Sequence, residues 1–261
     1  MRIKSNTLVF FVGLIGYVAG LGACSSETSS TPSGTKTLAG FCSKWAANAC
    51  NDKVVTACGG DDASKEACTT TQAAACEELV GADYDATNAS DCLKAVKDAY
   101  SDAKLTRSEL DALELVSGAC SELVKGPGGQ GASCSTDLGC DTIEGLRCIG
   151  ETTATCQVPV AVSGGGKCTD PASVCADGFY CNGQNCVAGA ELGGSCVSEP
   201  CVQSLDCVAG TCSAKIADFH DCKANAECES GLCDIPRSAS VGTCVSELAL
   251  SLTSASCVLL R

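Results

Sequence analysis

Cysteine constrains this chain more than any other feature, because 25 of its 261 residues are cysteine. A fraction near one in ten is typical of disulfide scaffolds. Only ten residues are aromatic, and Phe10, Phe11 and Tyr17 among them lie near the N-terminus. The remaining aromatic side chains are too few to build a large hydrophobic core. We therefore predict a small disulfide-rich fold in which cross-links carry much of the stability.

Residues 1–23 have the composition of a secretory signal peptide. Arg2 and Lys4 precede an uncharged, mostly apolar run, 8–21, that is too short to span a membrane. The run ends in Leu21-Gly22-Ala23-Cys24, which resembles the lipobox of bacterial lipoproteins. The resemblance implies cleavage before Cys24 and the attachment of acyl chains, such as palmitate, to its thiol and amine. The alternative is an ordinary secretory signal in which Cys24 is one more thiol, and both readings predict export.

Residues 24–37 are predicted to be the lipid anchor and a Ser/Thr-rich tether. Nine of the thirteen residues from Ser25 to Thr37 are serine or threonine, a composition that favours a flexible linker. Lipoproteins similar to this one, with serine rather than aspartate after the lipidated cysteine, are usually sorted to the outer membrane of Gram-negative bacteria. We therefore expect a lipid-anchored protein at the outer membrane or the cell surface.

Residues 38–125 are predicted to form an α-helical domain stapled by disulfides. Apolar residues recur at three- and four-residue steps from Leu38 to Ala49, and from Cys92 to Tyr100 behind the predicted caps Ser90 and Asp91. A further helix is predicted from Ser64 to Leu79. Seven cysteines lie on or beside these helices: Cys42, Cys50, Cys58, Cys68, Cys76, Cys92 and Cys120.

Another helix is predicted to begin at a capping box formed by Thr106 and Glu109. Its apolar positions are Leu110, Leu113, Val116, Cys120 and Leu123. Gly126-Pro127 would end it, because glycine closes a helix and proline cannot continue one. Residues 126–133 are then predicted to be a linker.

Four cysteine quartets follow the linker, and we call them repeats 1 to 4. Repeat 1 (134–156) contains Cys134, Cys140, Cys148 and Cys156; repeat 2 (168–186) contains Cys168, Cys175, Cys181 and Cys186; repeat 3 (196–212) contains Cys196, Cys201, Cys207 and Cys212; repeat 4 (222–244) contains Cys222, Cys228, Cys233 and Cys244. The predicted structure is a series of turn-rich cysteine modules with short β-hairpins, arranged as an extended rod.

The likeness between the repeats extends beyond cysteine. Gly131, Gly165 and Gly193 each stand three residues before a first cysteine, where repeat 4 has Phe219. Before the third cysteine the repeats read Gly145-Leu146, Gly178-Phe179, Ser204-Leu205 and Gly231-Leu232. These units resemble the cysteine-rich repeats of the dickkopf N-terminal type. The resemblance covers roughly residues 131–245, and it implies an extracellular architecture and protein binding but no catalytic residue.

The pairing within a repeat is not fixed by the sequence, because four cysteines permit three connectivities. We favour first with third and second with fourth. The third gap of repeat 4 has ten residues, which departs from the pattern and leaves its pairing open.

Disulfides are favoured over metal because the chain has no C-x-x-C or C-x-C spacing and only one histidine, His220. Export to an oxidising compartment also favours disulfides, and we expect no metal or other cofactor. Without Cys24 the chain has 24 cysteines, and the seven in the helical domain need an eighth partner. Cys257, in the apolar tail 245–261, is the predicted partner, which makes twelve bridges.

The tail also contains an alternating segment, Leu248-Ala-Leu-Ser-Leu252, that is typical of a half-buried strand. We expect it to pack on the helical domain near the bridge of Cys257. The alternative is a strand that adds to the sheet of a binding partner.

Charge and motif content argue against several functions. The formal net charge of −14 becomes −16 when Arg2 and Lys4 are removed, which disfavours nucleic acid and leaves the acyl anchor as the only predicted membrane contact. His220 is the one candidate catalytic base, and we expect it to be an ordinary surface residue instead.

A calcium site is the remaining ligand candidate. The segment with Asp83, Asp85 and Asn88 begins like an EF-hand loop but lacks the glycine and the final acidic residue of that motif. At most a loose calcium site stays open.

We therefore predict no catalytic activity and a binding scaffold for a protein or polysaccharide of the envelope or outside it. Two other classes stay open at this point. One is an exported enzyme of unknown reaction, and the other is a purely structural component of an envelope or spore coat.

The mass of the mature protein tests the anchor and the cysteine assignment together. Protein isolated from membranes should begin at a triacylated Cys24. It should take up no alkylating agent before reduction and 24 equivalents after it, because twelve bridges use 24 cysteines. An unacylated chain in the medium would contradict the anchor, and free thiols that retain a metal would contradict the disulfides.

Overall fold

The computed structural model describes residues 34–81, 83–115, 117–150, 153–237, 239–252 and 257. The predicted signal peptide, Cys24 and most of the tether lie outside the described residues. The described chain begins beside the helices, since the Tyr84 hydroxyl donates a hydrogen bond of 2.6 Å to the carbonyl of Thr35. Burial raises the pKa of Tyr84 to about 12.

The N-terminal region is helical, as predicted. Its helices are α1 (Leu38–Ala49), α2 (Asp52–Ala57), α3 (Asp62–Val80), α4 (Ala89–Ala99) and α5 (Arg107–Ala112). The first three begin at side chains that accept hydrogen bonds from free backbone N–H groups, namely Thr37, Asn51 and Asp61. The predictions of α1 and α3 are confirmed, while α2 was not predicted. No helix of the described residues has both the length and the apolar character needed to cross a membrane.

Two disulfides hold α1 against α3. Cys42 pairs with Cys76 and Cys50 pairs with Cys68, so that residues further along α1 bond to residues earlier in α3. This order makes the two helices antiparallel. The core beside them contains Phe41, Trp45 and Tyr100, each about 1 % exposed.

The prediction of a long helix after Thr106 is wrong beyond its first turns. The capping box of Thr106 and Glu109 is present, but α5 ends at Ala112. The chain then folds back so closely that a Cβ on Gly118 would lie 2.3 Å from the carbonyl oxygen of Asp111, and only glycine fits there. This reversal brings Cys120 to its partner Cys92.

The apolar residues that predicted the long helix are nevertheless buried. Leu110, Leu113, Cys120 and Leu123 all lie in the core, and Val116 lies outside the described residues. Their three- and four-residue spacing therefore indicates which residues are buried and does not indicate a continuous helix.

The start of α4 also differs from the prediction. The helix begins at Ala89, and Asn88 rather than Ser90 or Asp91 holds the N-cap position. The Asn88 amide makes no capping bond and instead donates to the carbonyl of Ser121. It thereby links α4 to the reversed segment.

The four repeats consist of short strands and turns, which confirms the predicted fold class. The strands are β2 (Arg147–Ile149) and β3 (Thr155–Gln157) in repeat 1; β4 (Val160–Val162), β5 (Ser173–Cys175), β6 (Phe179–Cys181) and β7 (Cys186–Ala188) in and around repeat 2; β8 (Leu205–Val208) and β9 (Thr211–Ala214) at repeat 3; and β10 (Asp221–Cys222), β11 (Cys233–Asp234) and β12 (Gly242–Cys244) in repeat 4. They follow β1 (Lys104–Thr106) and precede β13 (Glu247–Ala249).

The same disulfide pattern occurs in every repeat. The third and fourth cysteines face each other across a hairpin, yet they bond to the first and second cysteines respectively. The pairs are Cys134–Cys148, Cys140–Cys156, Cys168–Cys181, Cys175–Cys186, Cys196–Cys207, Cys201–Cys212, Cys222–Cys233 and Cys228–Cys244. Repeat 4 keeps this pairing because its longer third gap lies in the loop between β11 and β12.

A second regularity joins each repeat to the chain before it. The residue six positions before the first cysteine pairs in parallel with the second cysteine of the same repeat. These pairs are Gly128 with Cys140, Val162 with Cys175, Ala190 with Cys201, and Ile216 with Cys228. Each repeat is therefore bonded to its own leading segment.

Repeat 4 packs on the helical region. Leu232, the apolar residue before its third cysteine, is fully buried in the same core as Phe41 and Trp45. Leu138 of repeat 1 also packs against that core. The expectation of a rod extending from the helical domain is therefore wrong: both ends of the repeat array contact the helical core.

The C-terminal segment closes the fold, as the alternating pattern predicts. Strand β13 pairs antiparallel with β1, and Leu250 is buried in the helical core. The parity of the cysteines predicts a bridge from Cys257 to the helical region, and the structure contains it as Cys58–Cys257, with a sequence separation of 199 residues.

Truncation of Leu232 tests the packing of repeat 4. We expect Leu232→Ala to destabilise the protein by about 2–5 kcal/mol, because a fully buried leucine would leave a cavity in the helical core. The control is Leu205→Ala, the leucine nearest to the third cysteine of repeat 3. It stands two residues before that cysteine, whereas Leu232 stands next to its own, and it is half-buried, so its expected cost is below about 1 kcal/mol. Guanidinium unfolding of the oxidised protein, followed by helical circular dichroism, measures both. Equal shifts would contradict the packing.

Candidate binding surface

The turn before each first cysteine is built in the same way in all four repeats. The backbone N–H three residues before that cysteine donates to the carbonyl of the fourth cysteine, at 2.7–2.8 Å. The donors are Gly131, Gly165, Gly193 and Phe219. This hydrogen bond fixes where the turn residue stands relative to the hairpin.

The turn requires a left-handed backbone. The φ angles are 83° at Gly131, 81° at Gly165, 78° at Gly193 and 68° at Phe219. Glycine adopts this conformation without steric penalty, whereas a residue with a Cβ pays about 1–2 kcal/mol. Phe219 therefore carries a strain that the other three repeats avoid.

Packing does not explain this phenylalanine. Its side chain is 85 % exposed, the highest value among the large apolar residues of the described chain. The neighbouring Asp218 has a buried carboxylate oxygen, Oδ1, without a hydrogen-bond partner among the described residues. Backbone strain, an exposed aromatic ring and an unsatisfied polar atom thus coincide at one turn, as they do at sites kept for function.

Further exposed apolar residues lie in the middle of the repeat array. Six of the nine large exposed ones fall between positions 158 and 208: Val158, Val160, Phe179, Leu192, Val197 and Val208. Repeats 2 and 3 bury little besides cysteine: Cys168 and Cys186 are the buried residues of repeat 2, and Cys212 is that of repeat 3. Their remaining residues are half-buried or exposed.

The same stretch is acidic. Between Cys148 and Ala214 the sequence has six acidic residues and one basic residue, Lys167. The Tyr180 hydroxyl of repeat 2 donates a hydrogen bond of 2.9 Å to the Glu199 carboxylate of repeat 3, and this bond raises the pKa of Tyr180. The bond links neighbouring repeats and holds one of these charges in place.

The 24 cysteines predicted to form bridges do so, and Cys24 lies outside the described residues. In each repeat three sulfur atoms lie within 4.8 Å of one another. All of them belong to disulfides, so they are not the thiolates that a soft metal ion requires.

Other sequence candidates have structural partners. His220 is exposed, and its Nδ1 lies 3.1 Å from the carbonyl oxygen of Asp218. In the calcium-like segment, Asp85 accepts a hydrogen bond from the backbone of Thr87, and bonds from this residue lower the pKa of Asp85. The Asn88 amide donates a hydrogen bond to the backbone carbonyl of Ser121. The polar atoms of Asp85 and Asn88 are therefore engaged in hydrogen bonds within the fold.

The sequence does single out Phe219, because repeat 4 has phenylalanine where the other three repeats have glycine. Its exposure and its φ angle could not be read from the residues alone. No protein-family model, curated protein or solved structure matches the chain. The resemblance to dickkopf-type repeats therefore stays a prediction from residue spacing.

Replacing Phe219 tests whether this turn is strained. We expect Phe219→Gly to raise the melting temperature by about 2–4 °C, because about 1 kcal/mol of backbone strain is removed. Gly193→Ala is the matched control, since a Cβ there meets no atom within 4 Å and adds strain alone, which should lower the melting temperature. Calorimetry of the oxidised protein measures both. A lower melting temperature for Phe219→Gly would show that the ring stabilises the fold.

Proposed function

We propose that this protein is an exported lipoprotein, anchored to the membrane through acyl chains on Cys24, that binds a protein or polysaccharide of the envelope or outside it and has no catalytic activity. Twelve disulfides indicate an extracytoplasmic protein. The anchor and the outer-membrane or cell-surface location rest on the resemblance of Leu21-Gly22-Ala23-Cys24 to a lipobox and on Ser25.

The exposed Phe219 is the observation that carries the binding role. Aromatic side chains, phenylalanine among them, are enriched in protein interfaces, because they offer a large rigid surface at small entropic cost. A protein that needed only a turn at this position would have glycine, as the other repeats do. The rest of the fold offsets the strain at Phe219, and contact with a partner accounts for the retention of the ring.

The arrangement of the repeats supports the same role. Each is fixed by two disulfides and by backbone hydrogen bonds, so residues at its surface can vary without loss of the fold. The resemblance to dickkopf-type repeats, which belong to protein-binding extracellular proteins, agrees with this proposal. The acidic surface predicts a partner with positive or neutral contact groups.

Photo-cross-linking from position 219 tests the proposal in intact cells. A benzophenone side chain introduced at Phe219 should give one discrete adduct, since the ring would contact the partner. The same group at the exposed Glu66 of α3 serves as the control and should give none. An excess of the unmodified protein should suppress the adduct, whereas the Phe219→Ser variant should not.

Three results would overturn the proposal. A ladder of multiples of the chain mass indicates a structural component that contacts only its own copies. Equal adducts from positions 219 and 66, or none from either, remove the role of Phe219. An activity of the purified protein that is lost in His220→Ala indicates an enzyme.

A further inference from the structure

Repeat 3 contains the most accessible disulfide of the described chain. Cys207 is exposed, whereas every other cysteine that the structure describes is buried or half-buried. A disulfide opens when a thiolate approaches one of its sulfur atoms, so accessibility selects the bridge that is attacked. The bridge Cys196–Cys207 is therefore the first to meet a thiol from solution.

The sulfur atoms behind Cys207 are arranged for a second step. In repeat 3 the three sulfurs within 4.8 Å of one another are those of Cys196, Cys201 and Cys207. Attack on the sulfur of Cys207 breaks its bond to Cys196 and leaves Cys196 as a thiolate. That thiolate is adjacent to Cys201 of the second bridge, and its attack forms Cys196–Cys201 and releases Cys212.

A third step restores the attacking thiol. Cys212 faces Cys207 across the hairpin of β8 and β9, and Cα atoms of opposed residues in such a pair lie about 4.5–5.5 Å apart, within disulfide range. The Cys212 thiolate attacks Cys207 in its mixed disulfide, forms Cys207–Cys212 and expels the small thiolate. One thiolate enters and one leaves, so the rearrangement consumes no oxidant or reductant.

Little apolar burial opposes this opening. Cys212 is the buried residue of repeat 3, and Leu205 is only half-buried. Repeats 1 and 4, by contrast, contact the helical core through Leu138 and Leu232. Local opening of repeat 3 therefore exposes no hydrophobic core and leaves the rest of the fold intact.

The charge of repeat 3 selects the kind of thiol. Residues 190–214 contain Glu191, Glu199 and Asp206 and no basic residue. Charges of this kind act over about 8–10 Å at ordinary ionic strength. They repel a negatively charged thiol and attract one that also carries an ammonium group.

We propose that repeat 3 is a thiol–disulfide exchange site, at which a positively charged small thiol opens Cys196–Cys207 and converts the crossed pairing of the repeat into Cys196–Cys201 and Cys207–Cys212. Nothing in this proposal depends on the binding role of Phe219.

The test uses the full oxidised protein and limiting cysteamine at pH 8. Samples are quenched with N-ethylmaleimide and mapped by mass spectrometry. We expect Cys207 to carry the mixed disulfide on the order of tenfold earlier than Cys181, its half-buried counterpart in repeat 2. Pairs Cys196–Cys201 and Cys207–Cys212 should then accumulate. First modification at another bridge, or modification of Cys207 without these pairs, would overturn the proposal.

Two controls address the mechanism. A Cys201→Ser/Cys212→Ser double variant lacks the second bridge, so it should form the mixed disulfide at Cys207 but give no new pair. Anionic 2-mercaptoethanesulfonate should react more slowly than cysteamine at Cys207, and 1 M salt or Glu191→Gln should reduce the difference. Equal rates of the two thiols at low salt would contradict the assigned charge selectivity.

Discussion

Two crossed disulfides take the place of a hydrophobic core in the repeats, and the rest of the structure depends on this substitution. In repeats 2 and 3 the buried residues are cysteines, so apolar burial alone cannot offset the entropy lost when the segment is ordered. Each bridge removes conformations from the unfolded chain and thereby shifts the balance towards the folded state. The surrounding residues of these two repeats are half-buried or exposed.

The helical region provides what the repeats lack. Its core holds Trp45, Phe41 and Tyr100, and it receives Leu232 from repeat 4 and Leu250 from the C-terminal segment. The bridge Cys58–Cys257 ties the end of the chain to the same place. Repeats 1 and 4 are thus attached at a common base, and six of the nine large exposed apolar residues lie in the stretch 158–208 between them. The same lack of burial leaves the disulfide of Cys207 open to solvent.

The features that follow from residue identity and spacing were predictable. The quartets define the repeats, the odd count of seven cysteines predicts a bridge to Cys257, and the capping box of Thr106 and Glu109 predicts where α5 begins.

The end of α5 was not predictable, because a three- and four-residue apolar spacing also arises when a non-helical segment turns its apolar residues to a core. The burial of Leu232 depends on a contact between distant parts of the chain, which the residues next to it do not reveal. For Phe219 the sequence indicates an exception to glycine, while only the backbone angle shows the strain that this exception brings.

A disulfide map of the oxidised protein isolated from membranes tests the central claim most directly. Proteolysis without reduction, at acidic pH to prevent exchange, followed by mass spectrometry of the linked peptides, would identify each pair. The account predicts first-with-third and second-with-fourth pairing in repeats 1, 2 and 4 and in the unexchanged form of repeat 3, together with Cys58–Cys257. Free or intermolecular Cys257, or adjacent pairing throughout the repeats, would contradict it.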